Sequence, residues 1–171
     1  INRRARVPSR ISWRRIEKGI RELIRQCRHD GFVPDLIVGI GRSGAITGGM
    51  VAGNMKNIPI ALLDCQMIWD QHQREYVQSE FTHVTVSPKC HRILVVIGEV
   101  YSGQSMVECL RHLSGAVGDR EIRTACLVQS ASSTFRCDYV AFVVNRAVTP
   151  AWVLSEDYVR YGDRPTQSAR H

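Results

Sequence analysis

Residues Arg92–Val107, RILVVIGEVYSGQSMV, constrain the fold more than any other stretch of the chain. The unbroken apolar run from Ile93 to Ile97 reads as a strand buried on both faces. It gives way to a turn of small residues, Tyr101-Ser102-Gly103-Gln104-Ser105. Met106, Val107, Leu110 and Leu113 then recur at helical spacing. A buried strand that stops at a Ser/Gly turn and restarts as a helix makes an anion pocket. Backbone N–H groups and two hydroxyls converge there, and the helix N-terminus adds a partial positive charge. A Ser-capped helix start with no guest would share the same pattern.

The rest of the chain repeats this alternation. Ser12 is a helix cap, and Trp13, Ile16, Ile20, Leu23, Ile24 and Cys27 trace one helical face, closed by Gly31 and Pro34. A short buried strand, Leu36–Ile40, runs into the loop Gly41-Arg42-Ser43-Gly44, and a small-residue helix is expected from about Ala45 to Met55. Ile60–Leu63 is another buried strand. Residues 65–81 are polar and weakly periodic, which predicts an exposed excursion, and Thr82–Ser87 alternates like a strand. Strands are expected at Ile122–Val128 and Tyr139–Val144, and the apolar run Trp152–Leu154 completes the expected core. Buried strands alternating with helices predict an α/β fold, a parallel sheet flanked by helices on both faces. Ligands of such sheets sit at the carboxyl ends of the strands. Both glycine-bearing loops, 39–44 and 98–105, lie there.

At 171 residues the chain is long enough for one domain, with 44% hydrophobic residues. The organisation expected is a basic arm over 1–11, the folded domain over 12–160 and a polar tail over 161–171. There is no internal repeat. No apolar run approaches the roughly 20 residues that span a bilayer, and no signal peptide is evident. The first residue is Ile1 rather than Met, which leaves room for residues upstream. Cys27, Cys65, Cys90, Cys109, Cys126 and Cys137 are widely spaced without a C-x-x-C pair, as expected of reduced thiols in the cytoplasm. Cys90-His91 has no matching second pair of metal ligands, so zinc is not expected. Net charge is +7, concentrated in Arg3, Arg4, Arg6, Arg10, Arg14 and Arg15. Such an arm is either a solvated tail or a contact for nucleic acid or an acidic protein.

The segment 92–107 resembles the phosphoribosyl-pyrophosphate (PRPP) loop of type I phosphoribosyltransferases. That loop is a hydrophobic strand, two adjacent acidic residues, three variable residues and Thr/Ser-Gly-x-Thr/Ser. Ser102, Gly103 and Ser105 match the phosphate-binding positions, and the resemblance implies a 5′-phosphate cradle from Tyr101 through Ser105, Gln104 included. Gly41, Arg42, Ser43 and Gly44 match the family's pyrophosphate loop. There glycines admit the anion to the backbone and Arg42 supplies the cation. Further along, the region from Asp138 to Leu154 resembles the small carboxyl-terminal hood of guanine/xanthine-type members, with Trp152 in the place of the residue that stacks on the base. The polar excursion with Trp69, Arg74 and Tyr76 occupies the place of the family's lid.

The chain departs from the family at three points. The acidic pair that binds the ribose hydroxyls falls on Ile97 and Gly98. Two lost hydrogen bonds to charged groups would cost about 3–6 kcal/mol. Glu99 stands next to them and is the expected substitute, for catalysis and as a ligand of Mg2+. Tyr101 replaces an aspartate often found near the base, and Gln129 stands where purine enzymes commonly place a base-binding lysine, so the resemblance implies Gln129 as a base contact. The resemblance implies a phosphoribosyltransferase that binds PRPP or a nucleotide with Mg2+, probed by Glu99 and Arg42 as catalytic residues, and a homodimer or larger assembly. The alternative is a catalytically impaired domain kept as a binding, sensor or effector module. Hydrolysis of a ribosyl bond is a third reading, which no residue demands.

Overall fold

A computed structural model of the chain describes residues 10–64, 67–70, 75–78, 81–82 and 84–154. Nine strands and three helices are placed there: β1 (Arg10–Ile11), α1 (Trp13–His29), β2 (Leu36–Ile40), α2 (Gly41–Asn54), β3 (Ile60–Leu63), β4 (Met67–Asp70), β5 (Glu75–Gln78), β6 (Arg92–Val100), α3 (Gln104–Val117), β7 (Glu121–Ser130), β8 (Tyr139–Val144) and β9 (Thr149–Pro150). Five strands form the central sheet in the order β3-β2-β6-β7-β8. Every pair in it is parallel. The fold is therefore the α/β architecture expected from the alternation of buried runs and helical stretches.

The sheet divides the core by alternation of side chains. Ile37, Leu94, Val96, Ala125 and Leu127 face α1 and α2, while Val38, Ile93, Val95, Ile97 and Cys126 face α3. On the first face, α1 is capped by Ser12, whose hydroxyl accepts from Arg15 N–H at 3.4 Å. It buries Ile16, Ile20, Leu23, Ile24 and Cys27 as its periodicity predicts. Gly19 brings this helix onto the sheet, because a Cβ there would stand 2.5 Å from Leu127 Cδ1. Trp13 lies at the rim of the stripe and is half-exposed. The carboxylate of Asp35 accepts from the N–H groups of His91 (2.8 Å) and Arg92 (3.1 Å), which holds the start of β6 beside β2.

Sheet order makes β2 and β6 neighbours although the chain leaves them in opposite directions, β2 toward β3 and β6 toward β7. Their carboxyl ends flank a topological switch point, the usual ligand crevice of an open parallel sheet.

Several elements differ from the sequence expectation. Residues 41–44 are the first turn of α2, not a loop before it. Gly44 lies so close to the sheet that a Cβ would meet Val96 O at 2.5 Å, and one on Gly39 would meet Gly44 O at 2.7 Å. With that contact the helix starts flush against the strand end. Residues 67–78 contain an antiparallel hairpin, β4–β5, within the expected excursion. Thr82–Ser87 forms no strand among the described residues. Val84 is buried as the alternation implies, but Thr82 bonds back to Asp64, its hydroxyl accepting from Asp64 N–H at 2.8 Å. At the other end, Trp152 packs against the core as expected, whereas Leu154 is 85% exposed. The hood strand is instead β9, paired in parallel with β1. Ile11, at the end of the basic arm, is buried, so the last arm residues join the hood. Arg3, Arg4, Arg6, Arg74 and the 161–171 tail lie outside the described residues.

Candidate active site at the carboxyl edge of the sheet

Two helix N-termini open onto the switch point. α2 follows Ile40 and α3 follows Gly103, whose own side chains supply no capping hydrogen bond, and neither first turn holds an acidic residue. The first N–H groups of a helix lack intrahelical partners, so such a start is a ready anion donor. Gly41 has φ +58°, with open space where a Cβ would lie, and Arg42 beside it is exposed and forms no ion pair among the described residues.

The turn into α3 is held rigid from outside. Gly103 has φ +92°, and a Cβ there would sit 2.3 Å from Phe135 Cβ, so only glycine fits both the backbone and the space. Ser102 Oγ accepts from Gln104 N–H at 3.3 Å, and the Thr134 hydroxyl donates to Ser102 O at 3.1 Å. Ser105 lies in the first turn of α3. Phe135 and Thr134 were not singled out from the sequence. Their signal is the run Ser130-Ala131-Ser132-Ser133-Thr134, a polar turn at the carboxyl end of a third core strand, β7.

The end of β6 is built differently. Ile97 is packed into the α3-side core. Gly98 faces Ser43: its N–H donates to Ser43 Oγ at 3.1 Å, and a Cβ on Gly98 would lie 2.5 Å from Ser43 Cβ. A side chain of any kind at 98 would have to displace α2's first turn. Ser43 thus links the two loops, and its hydroxyl also hydrogen-bonds the Glu99 carboxylate. Glu99 Oε1 has neither solvent access nor a hydrogen-bond partner. Burial pushes the Glu99 carboxyl up to about 7, against the lowering by Ser43.

No group of three or more His, Cys, Asp or Glu that would hold a metal ion by itself occurs among the described residues. Mg2+ does not need one, because it commonly binds through one or two carboxylates and substrate phosphates while keeping several waters. An orphaned carboxylate oxygen at Glu99 fits that requirement.

The three remaining expected site residues are engaged elsewhere in the fold. Tyr101 braces the hood, its hydroxyl donating to Val148 O at 3.2 Å and accepting from Val148 N–H at 3.1 Å. Gln129 is buried, and its carboxamide oxygen accepts from Cys137 N–H at 3.0 Å and from the Cys126 thiol. Trp152 packs against Trp13, with ring centroids 6.2 Å apart and planes at 57°. The structure therefore brings together Arg42, Ser43, Gly98 and Glu99 at one strand end and Ser102–Ser105 at the adjoining turn.

Comparison with known proteins agrees with this layout. The family profile of the phosphoribosyl transferase domain matches residues 12–158. Among solved structures, a purine phosphoribosyltransferase from Pyrococcus horikoshii aligns with TM-score 0.71 at 20% identity, over 89% of this chain and 98% of that one. The xanthine-guanine-hypoxanthine phosphoribosyltransferase of Helicobacter pylori aligns with TM-score 0.73 at 19% identity, over 84% and 92%. A hypothetical protein from Neisseria gonorrhoeae with bound ppGpp aligns with TM-score 0.69 at 20% identity, over 88% and 92%. No curated protein is significantly similar in sequence. With nearly the whole folded domain covered by the profile and the same sheet shared with these structures, the chain belongs to the phosphoribosyl transferase domain family.

Proposed function

We propose that this protein binds a 5′-phosphoribosyl ligand, PRPP or a nucleotide, and transfers phosphoribose from PRPP to a purine base with Glu99 as the carboxylate at the reaction centre. The observation that carries the reading is the Gly103 turn: a glycine-only conformation, braced by Thr134 and Phe135, that delivers the N-terminus of α3 to the switch point. Backbone donors of α3's first turn, with Ser102 and Ser105, hold the 5′-phosphate. Arg42 and the start of α2 face the pyrophosphate. In transfer, a base nitrogen forms its bond to C1 of the ribose as the C1–O bond to pyrophosphate breaks. Preorganised positive charge at the leaving group lowers the barrier to that step. Glu99 would hold Mg2+, which would supply further charge neutralisation at the leaving group. The purine assignment follows the named activities of two structural neighbours.

A second reading, a binding module without transfer, has specific support. Ile97 is in the core, Gly98 is closed by Ser43, and Gln129 and Tyr101 are engaged by Cys137 and Val148. Calorimetric titration of PRPP with and without Mg2+, followed by an assay for nucleotide formation over a panel of purine bases, separates the two. Mg2+-dependent binding with product formation that Glu99→Ala abolishes supports transfer. Binding without product from any base assigns the module reading, and no binding at millimolar PRPP overturns both.

A further inference from the structure

Away from the switch point, beside the free edge of β8, a hollow of about 290 Å³ is lined by Arg10, Arg15 and Arg146 with Phe142 and Asn145. No acidic residue lines it, and none of the three arginines forms an ion pair among the described residues. Arg15 lies over the Phe142 ring, its guanidinium carbon 5.0 Å from the centroid. Arg10 is fixed by donating to Val153 O at 2.7 Å, so its charge is held at the rim and not left to wander. Arg14 and Arg15 also occupy the first turn of α1, where no acidic residue accompanies them. Cations at a helix N-terminus oppose the helix dipole. A negatively charged guest in the hollow would relieve both that opposition and the mutual repulsion of the arginines.

We propose that this hollow is a phosphodiester-binding site for single-stranded nucleic acid, separate from the phosphoribosyl crevice. Three guanidiniums around one concavity match phosphate oxygens. The Arg15 guanidinium, laid over Phe142, offers a base a stacking surface, as single-strand sites do. The extent of the charge favours a polymer over a free nucleotide, because Arg3, Arg4 and Arg6 precede Arg10 in the chain. A hollow with an aromatic wall also favours one strand over a duplex, whose bases are already stacked within the helix.

The test is fluorescence anisotropy of the full chain with a labelled single-stranded oligonucleotide, as DNA and as RNA, over a range of salt. Each of the three arginines that neutralises a phosphate contributes a slope of about −0.7 in log K against log salt. The variant Arg15→Gln/Arg146→Gln should weaken binding about tenfold at low salt and flatten the slope by about 1.4. Its fold is checked by circular dichroism and by unchanged PRPP titration, while Arg42→Ala should leave oligonucleotide binding intact. Wild-type affinity in the double variant overturns the proposal, as does equal affinity for a duplex, for a mononucleotide or for polyglutamate. Competition of PRPP with the oligonucleotide would place the strand in the crevice instead, and would also overturn it.

Discussion

Along the carboxyl edge of the sheet, the turn at 102–105 and the strand end at 97–99 are neighbours in sequence yet are built in opposite ways. The turn is glycine-locked, braced from the 131–135 segment, and presents backbone donors outward. The strand end turns inward: Ile97 enters the core, and Gly98 receives Ser43 where a side chain would otherwise project. Only Glu99 keeps a polar group there, half-withdrawn from water. A phosphate needs donors fixed in space, and the proposed function draws them from the first region, from backbone N–H groups with Ser102 and Ser105. Ribose hydroxyls need acceptors, and the second region has reduced these to one carboxyl. In the proposed function, phosphate recognition and sugar recognition are separate within a single loop.

The phosphate half breaks most severely at Gly103. Alanine there adds a left-handed backbone cost of about 1–2 kcal/mol. Its Cβ would lie 2.3 Å from Phe135 Cβ, and overpacking of that kind adds about 1–3 kcal/mol. Gly103→Ala should therefore lose about 3 kcal/mol in urea denaturation and lose PRPP binding with it.

Glu99 sharpens the comparison through pH. Its carboxyl is raised from the ordinary 4.5 to about 7. The folded chain thus holds the proton more tightly than the unfolded chain. Its contribution to stability is fully present below about pH 4.5 and is lost as pH rises through about 7. Glu99→Gln should leave stability nearly unchanged at pH 4 and raise it at pH 8 by up to about 3 kcal/mol. The same variant should remove any Mg2+ dependence of PRPP binding. Denaturation curves at the two pH values and a paired titration check both.

Restoring an acid in the altered half is the third test. Gly98→Asp should cost about 2 kcal/mol, because its side chain meets Ser43. Adding Ser43→Gly should recover most of that loss, a non-additivity expected of residues in contact. If the double variant also gains ribose affinity, the missing acidic pair is the cause of the separation.

Arg42 should matter least to the fold and only locally to binding. Arg42→Ala should change stability by less than about 0.5 kcal/mol, as an exposed substitution does. It should weaken PRPP about tenfold, the loss of one charge-assisted contact of about 1.5 kcal/mol. Binding of a nucleoside monophosphate, which has no pyrophosphate, should be unaffected.

Much of this architecture was legible in the sequence for a simple reason. The central strands of a parallel sheet are buried on both faces, so β2 and β6 read as apolar runs. The stripe and Ser12 cap of α1 were equally plain. Contacts between distant side chains were not. Tyr101 looked like a base-facing residue, but its hydroxyl is bonded to Val148, 47 residues away. Gln129 looked free to read a base, yet it is buried against Cys137. The pairing of Gly98 with Ser43 is a close approach over 55 positions, and no local pattern encodes it. The sequence does not locate the start of α2, because glycines that permit a loop also permit a helix to press against a strand.

The separation of phosphate from sugar recognition is tested most directly by titrating the wild-type protein with a purine nucleoside monophosphate and, in parallel, with the same nucleoside lacking its phosphate. That separation predicts saturable binding of the monophosphate, abolished in Gly103→Ala, and no measurable binding of the nucleoside. Equal affinity for the two, or binding of neither, would contradict it.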